Sequence, residues 1–239
     1  IPILFLFFAG CAQKEDIKKV SLVQPKESPA ISKEEKIPVA IGSMLSPKET
    51  YIYYKQLMDY IGKKIQKPIE LVQRDSYQEV NDLLKQGKIK IAFVCSSPYC
   101  ILHDEIGMEL LAVPEVSGKK TYRSYIIIHR DSPVKSLEEL EGKAFAFSDP
   151  LSNSGFLAPR YMIHKMGKNP DKFFKKQLFS GSHDNSIKFV AERFVDAAGV
   201  DSLIWEYYNK VNPEFTSLTR ILVKSEEFGM PPVVVQKDF

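Results

Sequence analysis

Apolar and polar positions along this chain fall into two alternating patterns, short apolar runs the length of a strand and longer stretches with helical spacing. Ile37-Pro38-Val39-Ala40-Ile41-Gly42 is the first apolar run. From Pro47 to Ile65 the residues Tyr53, Leu57, Tyr60, Ile61 and Ile65 recur at helical intervals and predict a helix with one apolar face. A strand is predicted at Ile69 to Val72, then a helix from Ser76 to Gln86 carrying Val80, Leu83 and Leu84 and stopped by Gly87. Lys88 to Val94 and Met108 to Val113 read as strands, and Tyr122 to Arg130 is the longest strand candidate, closed by the turn Asp131-Ser132-Pro133. The pattern then restarts. Leu137 to Leu140 reads as a helical turn, Lys143 to Phe147 as a strand, and Phe156 to about Met166 as a helix whose Pro159 is tolerated near the first turn. A helix at Ile187 to Arg193, a strand at Val195 to Val200 and a helix at Ser202 to Tyr208 follow, with strand-like pieces at Ile221 to Lys224 and Pro232 to Val235. Alternation of this kind predicts an α/β fold with a largely parallel sheet. The long crossing strand divides it into two lobes with a cleft between them, and ligands in such folds sit beyond the carboxyl ends of strands.

The first 36 residues break the pattern. Residues 1–11 are an apolar run ending in Ala9-Gly10-Cys11. It is too short for the roughly 20 residues a spanning helix needs, and it matches the apolar core of a signal peptide. Ala9-Gly10-Cys11 resembles a bacterial lipobox, which makes Cys11 the expected lipidation site and predicts an exported protein anchored to a membrane by lipid. A buried strand with a chance cysteine is the alternative. Residues 12–36 mix Lys, Glu, Ser, Gln and Pro with few large apolar groups, a composition that reads as a flexible tether.

Overall composition changes the picture little. The 239 residues allow one large domain or two lobes of about 100 residues each. A net charge of +3 and the lack of a basic block with interleaved aromatics argue against nucleic acid. His103, His129, His164 and His183 show no metal-ligand spacing with one another or with the cysteines, so no metal or cofactor is expected. Cys95 and Cys100 flank Ser96-Ser97-Pro98-Tyr99. In an oxidising compartment they can form a bridge, or one of them can simply be buried.

The candidate chemistry lies at strand ends. Phe145 to Phe156 reads as a buried strand, a turn, then Ser152-Asn153-Ser154-Gly155 opening a helix. Free backbone amides at such a start, reinforced by hydroxyl and amide side chains, favour an anion; the plainer alternative is that Ser154 only caps the helix. Ser96 and Ser97 follow the third strand, and Tyr77 follows the second. Ser180-Gly181-Ser182-His183-Asp184-Asn185-Ser186-Ile187 repeats the small-polar pattern at a second helix start, with His183 at its entrance either as a donor to the anion or as an ordinary surface histidine.

Three blocks, in order, are Asp149-Pro150-x-Ser152-x-Ser154-Gly155-Phe156-x-x-Pro159, then Ser180-Gly181-Ser182-His183, then Val195-Asp196-Ala197-Ala198-Gly199-Val200-Asp201. With them the chain resembles the solute-binding proteins of ABC importers for phosphate, phosphite and phosphonates, from about Ile37 to Phe239. The resemblance implies a type II periplasmic-binding-protein fold with a ligand cleft between lobes. Lobe 1 would take residues 37–122 and 226–239, and lobe 2 residues 123–225. It implies ABC permease subunits as partners, and a phosphorus oxyanion gripped by Ser152, Asn153, Ser154, Gly155 and His183 with hydroxyls from Tyr77 and Tyr122. Asn153 departs from the threonine common in the family, and an amide can still donate. The family's amine-pairing carboxylates fall near Leu203 and Met230-Pro231, where no acid stands. A ligand without an amino group is therefore expected, although Asp201 and Glu206 lie close by. The chain also ends before the helices with which the family usually continues. An enzyme using Ser154 and His183 is the weaker alternative, since no G-x-S-x-G elbow is present. A ligand sensor of the same fold, or a binder of another anion, are the others.

Overall fold

The computed structural model describes residues 36–239. The expected lipidation site at Cys11 and the tether lie outside the described residues.

The chain forms two five-stranded sheets, each flanked by helices. The first is built from β1 (Ile37–Ile41), β2 (Ile69–Gln73), β3 (Ile91–Phe93), β4 (Glu109–Ala112) and β10 (Val233–Val235), in the order β2-β1-β3-β10-β4. Three helices connect its strands: α1 (Pro47–Ile65), α2 (Tyr77–Lys85) and α3 (Ser96–Ile106). The second sheet has the order β7-β6-β8-β5-β9, from β5 (Thr121–His129), β6 (Ala144–Phe147), β7 (Lys176–Phe179), β8 (Ala197–Asp201) and β9 (Thr219–Gly229). Its helices are α4 (Ala158–Lys165), the single turn α5 (Pro170–Phe173), α6 (His183–Ala191) and α7 (Ser202–Val211). Strands β5 and β9 are the routes by which the chain enters and leaves the second lobe.

Neither sheet is largely parallel. β1 pairs in parallel with β2 and β3, but β10 runs antiparallel to both β3 and β4. In the second sheet β6 is parallel to β7 and β8, while β5 is antiparallel to β8 and β9. The antiparallel halves arise because β5, β9 and β10 are the connecting strands. Their direction is set by the lobe they cross to, not by a local βαβ unit.

Strand β5 shows how the sequence specifies burial. Ile126 and Ile128 face a core with Phe145, Phe147 and Phe174, while Tyr125 and Ile127 face another with Val190 and Val200. Helices cover both sides of the strand, so both sets of alternating residues are apolar. In the first sheet Ala40, Ala92 and Val234 pack against Val80, Leu84 and Leu102.

Several elements depart from the sequence reading. Ser96 to Tyr99, placed after the third strand, forms the first turn of α3, a helix the periodicity did not predict. Cys95 precedes that helix and is buried while Cys100 is exposed on it, and both are free thiols. β7 was hidden because Lys176-Gln177-Leu178-Phe179 has a polar half, as an edge strand does. β9 extends well beyond Ile221 to Lys224 because its polar end, Ser225 to Gly229, pairs with β5. On α1 the residues packed inward are Thr50, Met58 and Gly62, whereas Tyr53, Leu57, Tyr60 and Ile65 stay exposed. Gly62 explains the inward face, because a Cβ there would stand 2.9 Å from the Lys67 carbonyl where the chain turns into β2.

One glycine controls the second lobe. Gly199 lies in the middle of β8, and a Cβ on it would come within 2.7 Å of Pro159 Cγ and 3.3 Å of the Gly155 carbonyl oxygen. The strand and the polar junction approach each other only because that side chain is missing. Gly199→Ala is expected to destabilise the fold by about 1–3 kcal/mol, read as a lower urea midpoint at unchanged slope.

Candidate functional site

The polar junction after β6 does not open as an α-helix. Residues Asn153–Leu157 form one π-helical turn that leads into α4, a wide turn often found at functional positions. Ser152 is its cap: the hydroxyl accepts from the Gly155 N–H at 3.0 Å. The Asn153 N–H points at Cys95 Sγ, 3.4 Å away, and its side-chain amide donates to the Tyr122 hydroxyl at 3.0 Å. Two of the amides expected to face an anion are thus engaged within the protein. The capping alternative therefore holds for Ser152, and not for Ser154.

The Ser154 hydroxyl is fully buried and has no hydrogen-bond partner. It shares this condition with the hydroxyls of Tyr77, Ser148 and Ser43, and, away from this junction, with the Thr216 hydroxyl and the Asn81 side-chain oxygen. Ser154, Tyr77, Ser148 and Ser43 come from the π-turn, the start of α2, the end of β6 and the end of β1. They surround one region. Gly42, beside Ser43, lies against the Tyr77 ring, and Gly155, beside Ser154, lies against Ser148 Oγ and His183 Cε1. A buried hydroxyl without a partner costs about 1–3 kcal/mol, so four of them on neighbouring elements call for a physical explanation.

His183 opens α6 and is buried. Its backbone N–H donates to the Met44 carbonyl at 3.0 Å, and its Nδ1 accepts from the Asp201 N–H at 3.1 Å. That second bond assigns the proton of the neutral ring to Nε2, leaving an N–H donor. Burial lowers its pKa from 6.5 to about 4, so the ring is uncharged at neutral pH. Tyr77 is held by its backbone, whose N–H donates to Asp149 Oδ2 at 3.1 Å, and burial drives its phenol pKa well up. Tyr122 accepts from Asn153 and lies 3.5 Å from Ser96 Oγ.

Ser96 and Ser97 contribute differently from expectation. The Ser96 hydroxyl donates to the Gly229 carbonyl at 2.7 Å, fastening α3 to the end of β9, and Ser97 lies in the first turn of α3. Ser96 therefore braces the structure instead of facing a ligand. The sequence reading gave no site role to Ser43, Ser148 or Asp149, and named Asp201 only as an acid close to the expected amine-pairing positions. Ser148 and Asp149 stood in plain view at the end of β6, but a turn residue and a ligand donor look the same in sequence. Asp149 spans the lobes, accepting from Tyr77 N–H and from Leu151 N–H at 2.7 Å. Asp201 caps α7 through Leu203 N–H at 2.7 Å, and burial raises its carboxyl to about 7.

The cradle contains no lysine or arginine among its named residues. What it offers an anion is neutral donors: hydroxyls, one imidazole N–H and the positive end of a helical turn. Lobe-to-lobe bonds fix these groups in place, including Ser46 N–H to Asp184 Oδ1 at 2.9 Å and Asn153 N–H to Cys95.

The shifts of His183 and Asp201 act on stability in opposite directions. Between about pH 4 and 7 the folded protein keeps a proton on Asp201 that the unfolded chain has lost, so stability falls as pH rises. Between about pH 4 and 6.5 the unfolded chain binds a proton that folded His183 refuses, so stability rises. Each effect is on the order of 3–4 kcal/mol, and in the intact protein they nearly cancel. Urea midpoints across this window are expected to fall with rising pH in His183→Asn and to climb in Asp201→Asn. Parallel profiles in the two variants would contradict the assignment.

A sequence family described as the periplasmic phosphonate substrate-binding protein of ABC transporters matches residues 39–239. The phosphonates-binding periplasmic protein of Escherichia coli (strain K12) is 29% identical over 125 residues, covering 51% of this chain and 37% of that protein. Matched stretches span only 35% to 48% of the curated relatives' lengths. Among solved structures, the binding-protein component of an ABC phosphonate transporter from Pseudomonas aeruginosa superposes with a TM-score of 0.80 at 24% identity, covering 86% of this chain and 70% of that one. PhnD1 of Prochlorococcus marinus (MIT 9301), in complex with methylphosphonate, gives 0.77 at 20% identity, covering 84% and 76%. These structures share the two-lobed α/β fold. By the match across residues 39–239, the chain belongs to the periplasmic phosphonate substrate-binding protein family of ABC transporters.

Proposed function

We propose that this protein captures a small phosphorus oxyanion (phosphonate, phosphite or phosphate) between its lobes and presents it, chemically unchanged, to an ABC permease. The observation that carries this reading is the group of four buried hydroxyls without partners, Ser43, Tyr77, Ser148 and Ser154, around the neutral His183. Asn153 and Tyr122 complete the cradle, with Ser152 and Gly155 shaping its turn. A ligand oxygen accepting from several of these donors satisfies them at once. Charge-assisted bonds of about 1.5–3 kcal/mol each are sufficient for micromolar affinity, about −8 kcal/mol. A relative of the same fold was solved with methylphosphonate.

Capture without chemistry suits the geometry. Ser154 Oγ has no base bonded to it, and His183 Nδ1 is occupied by a backbone N–H. A nucleophile needs an adjacent base to activate it. In this reading the apolar run ending at Cys11 supplies a lipid anchor on the extracytoplasmic side of a membrane. No helix among the described residues is long and apolar enough to cross one. If Cys11 is the anchor, Cys11→Ser moves the protein from the membrane fraction to the soluble fraction on fractionation of expressing cells.

A structural hydroxyl and a ligand-binding hydroxyl respond differently to removal. Deleting a bonded structural hydroxyl lowers stability, whereas deleting an unpartnered one relieves a buried polar group. Ser154→Ala and Tyr77→Phe are each expected to leave the ligand-free melting temperature unchanged or raised. The same variants should weaken methylphosphonate or phosphite binding by about 1–3 kcal/mol, measured by calorimetry. Unaltered affinity in both would place the ligand elsewhere.

A further inference from the structure

A cavity of about 480 Å³ lies between the lobes, within the range of about 300–1,000 Å³ typical of small-molecule sites. Its walls are apolar: Tyr54, Leu57 and Phe93 on one side, Leu203, Ile204 and Tyr207 on the other. Two of its lining residues bond the histidine of the cradle. Met44 lines the cavity, and its carbonyl accepts the His183 N–H. Asp201 lines it too, and its N–H donates to the same imidazole. Val94, also in the lining, directly precedes the cysteine that receives the Asn153 N–H. At the outer end the rings of Tyr53 and Tyr207 meet edge-on across the cleft, 5.5 Å apart.

This cavity accounts for the unexpected orientation of α1. An apolar stripe at helical spacing ordinarily faces the core, yet Tyr53 and Leu57 remain 37% and 40% exposed and turn toward the cleft. Leu203, Met230 and Pro231, the positions expected to lack acids, line the same space. Asp201 is the only charged residue of that lining among the described residues, and its Oδ1 is engaged in capping α7 through Leu203 N–H, so a single, partly committed carboxyl is all the lining offers an ammonium. A substituent entering from the cradle therefore meets hydrocarbon and aromatic faces, with little to receive an ammonium group.

We propose that this cavity holds the organic substituent of the ligand, so that the cleft selects phosphonates bearing an apolar chain of about three carbons or more. The inference rests on the oxyanion reading above and names the half of the ligand that reading leaves open.

Calorimetry on the purified protein with phosphite, methylphosphonate, propylphosphonate and 2-aminoethylphosphonate tests it. The last two match in size and differ by a methyl against an ammonium. Each buried methylene is worth about fourfold in affinity, so propylphosphonate should bind roughly tenfold or more tightly than methylphosphonate. It should exceed 2-aminoethylphosphonate by a similar factor, about tenfold, because an ammonium loses its water without a free counter-charge. Leu203→Ser should shrink the propyl-to-methyl affinity ratio by roughly threefold or more. Propylphosphonate binding no more tightly than methylphosphonate, or 2-aminoethylphosphonate matching it, overturns the cavity assignment and leaves the oxyanion reading intact. Failure of all four, and of phosphate run alongside them, removes both.

Discussion

Burying a hydroxyl without a partner is a cost that folded proteins rarely keep, and this one keeps several around a single histidine. The rest of the cleft is organised by that constraint. β1, β6 and the start of α2 deliver Ser43, Ser148 and Tyr77 to one region, and the π-turn adds Ser154. Nearby polar groups do find partners inside the protein: Ser152 caps the turn, Asn153 bonds Cys95 and Tyr122, and Asp149 ties the two lobes. In the proposed reading the satisfied groups are scaffold and the unsatisfied ones recognise the ligand, whose oxygens would relieve the second set without disturbing the first.

His183 links the two sets. Its backbone reaches across to Met44 and its ring to Asp201, so lobe contact and imidazole orientation are one arrangement. Burial keeps the ring neutral and holds the Asp201 carboxyl near 7. A cradle of neutral donors suits an anion that must later be released, because no full positive charge holds it. The apolar cavity beyond Asp201 adds a different source of selectivity, one based on burial of hydrocarbon and not on charge.

Much of the framework was legible from residue pattern. α1 matches its predicted span, and α2, β5 and β6 fall within a residue or two of theirs, because each carries a clear period or a clear stop. The junction at Ser152 to Gly155 and the block at His183 were visible because small polar residues at a helix start have few uses. Other features were hidden for identifiable reasons. Edge strand β7 lacks a continuous apolar run, and the polar end of β9 is a strand only because β5 pairs with it. The α1 stripe looked like any amphipathic face, and nothing local distinguishes a core from a cleft as the surface it meets.

The sequence by itself determined the α/β alternation and the chemical identity of the polar groups at two helix starts. Both are set by neighbours within a few residues. Tertiary structure alone decided which donors stay unsatisfied, since that depends on contacts such as Asn153 with Cys95 or Ser96 with Gly229, 58 and 133 residues apart in the chain. It likewise decided that Tyr53 and Leu57 line a cavity shared with Leu203 and Met230. Hydrogen-bond satisfaction and burial are properties of a whole environment, and that environment exists only once the two lobes meet.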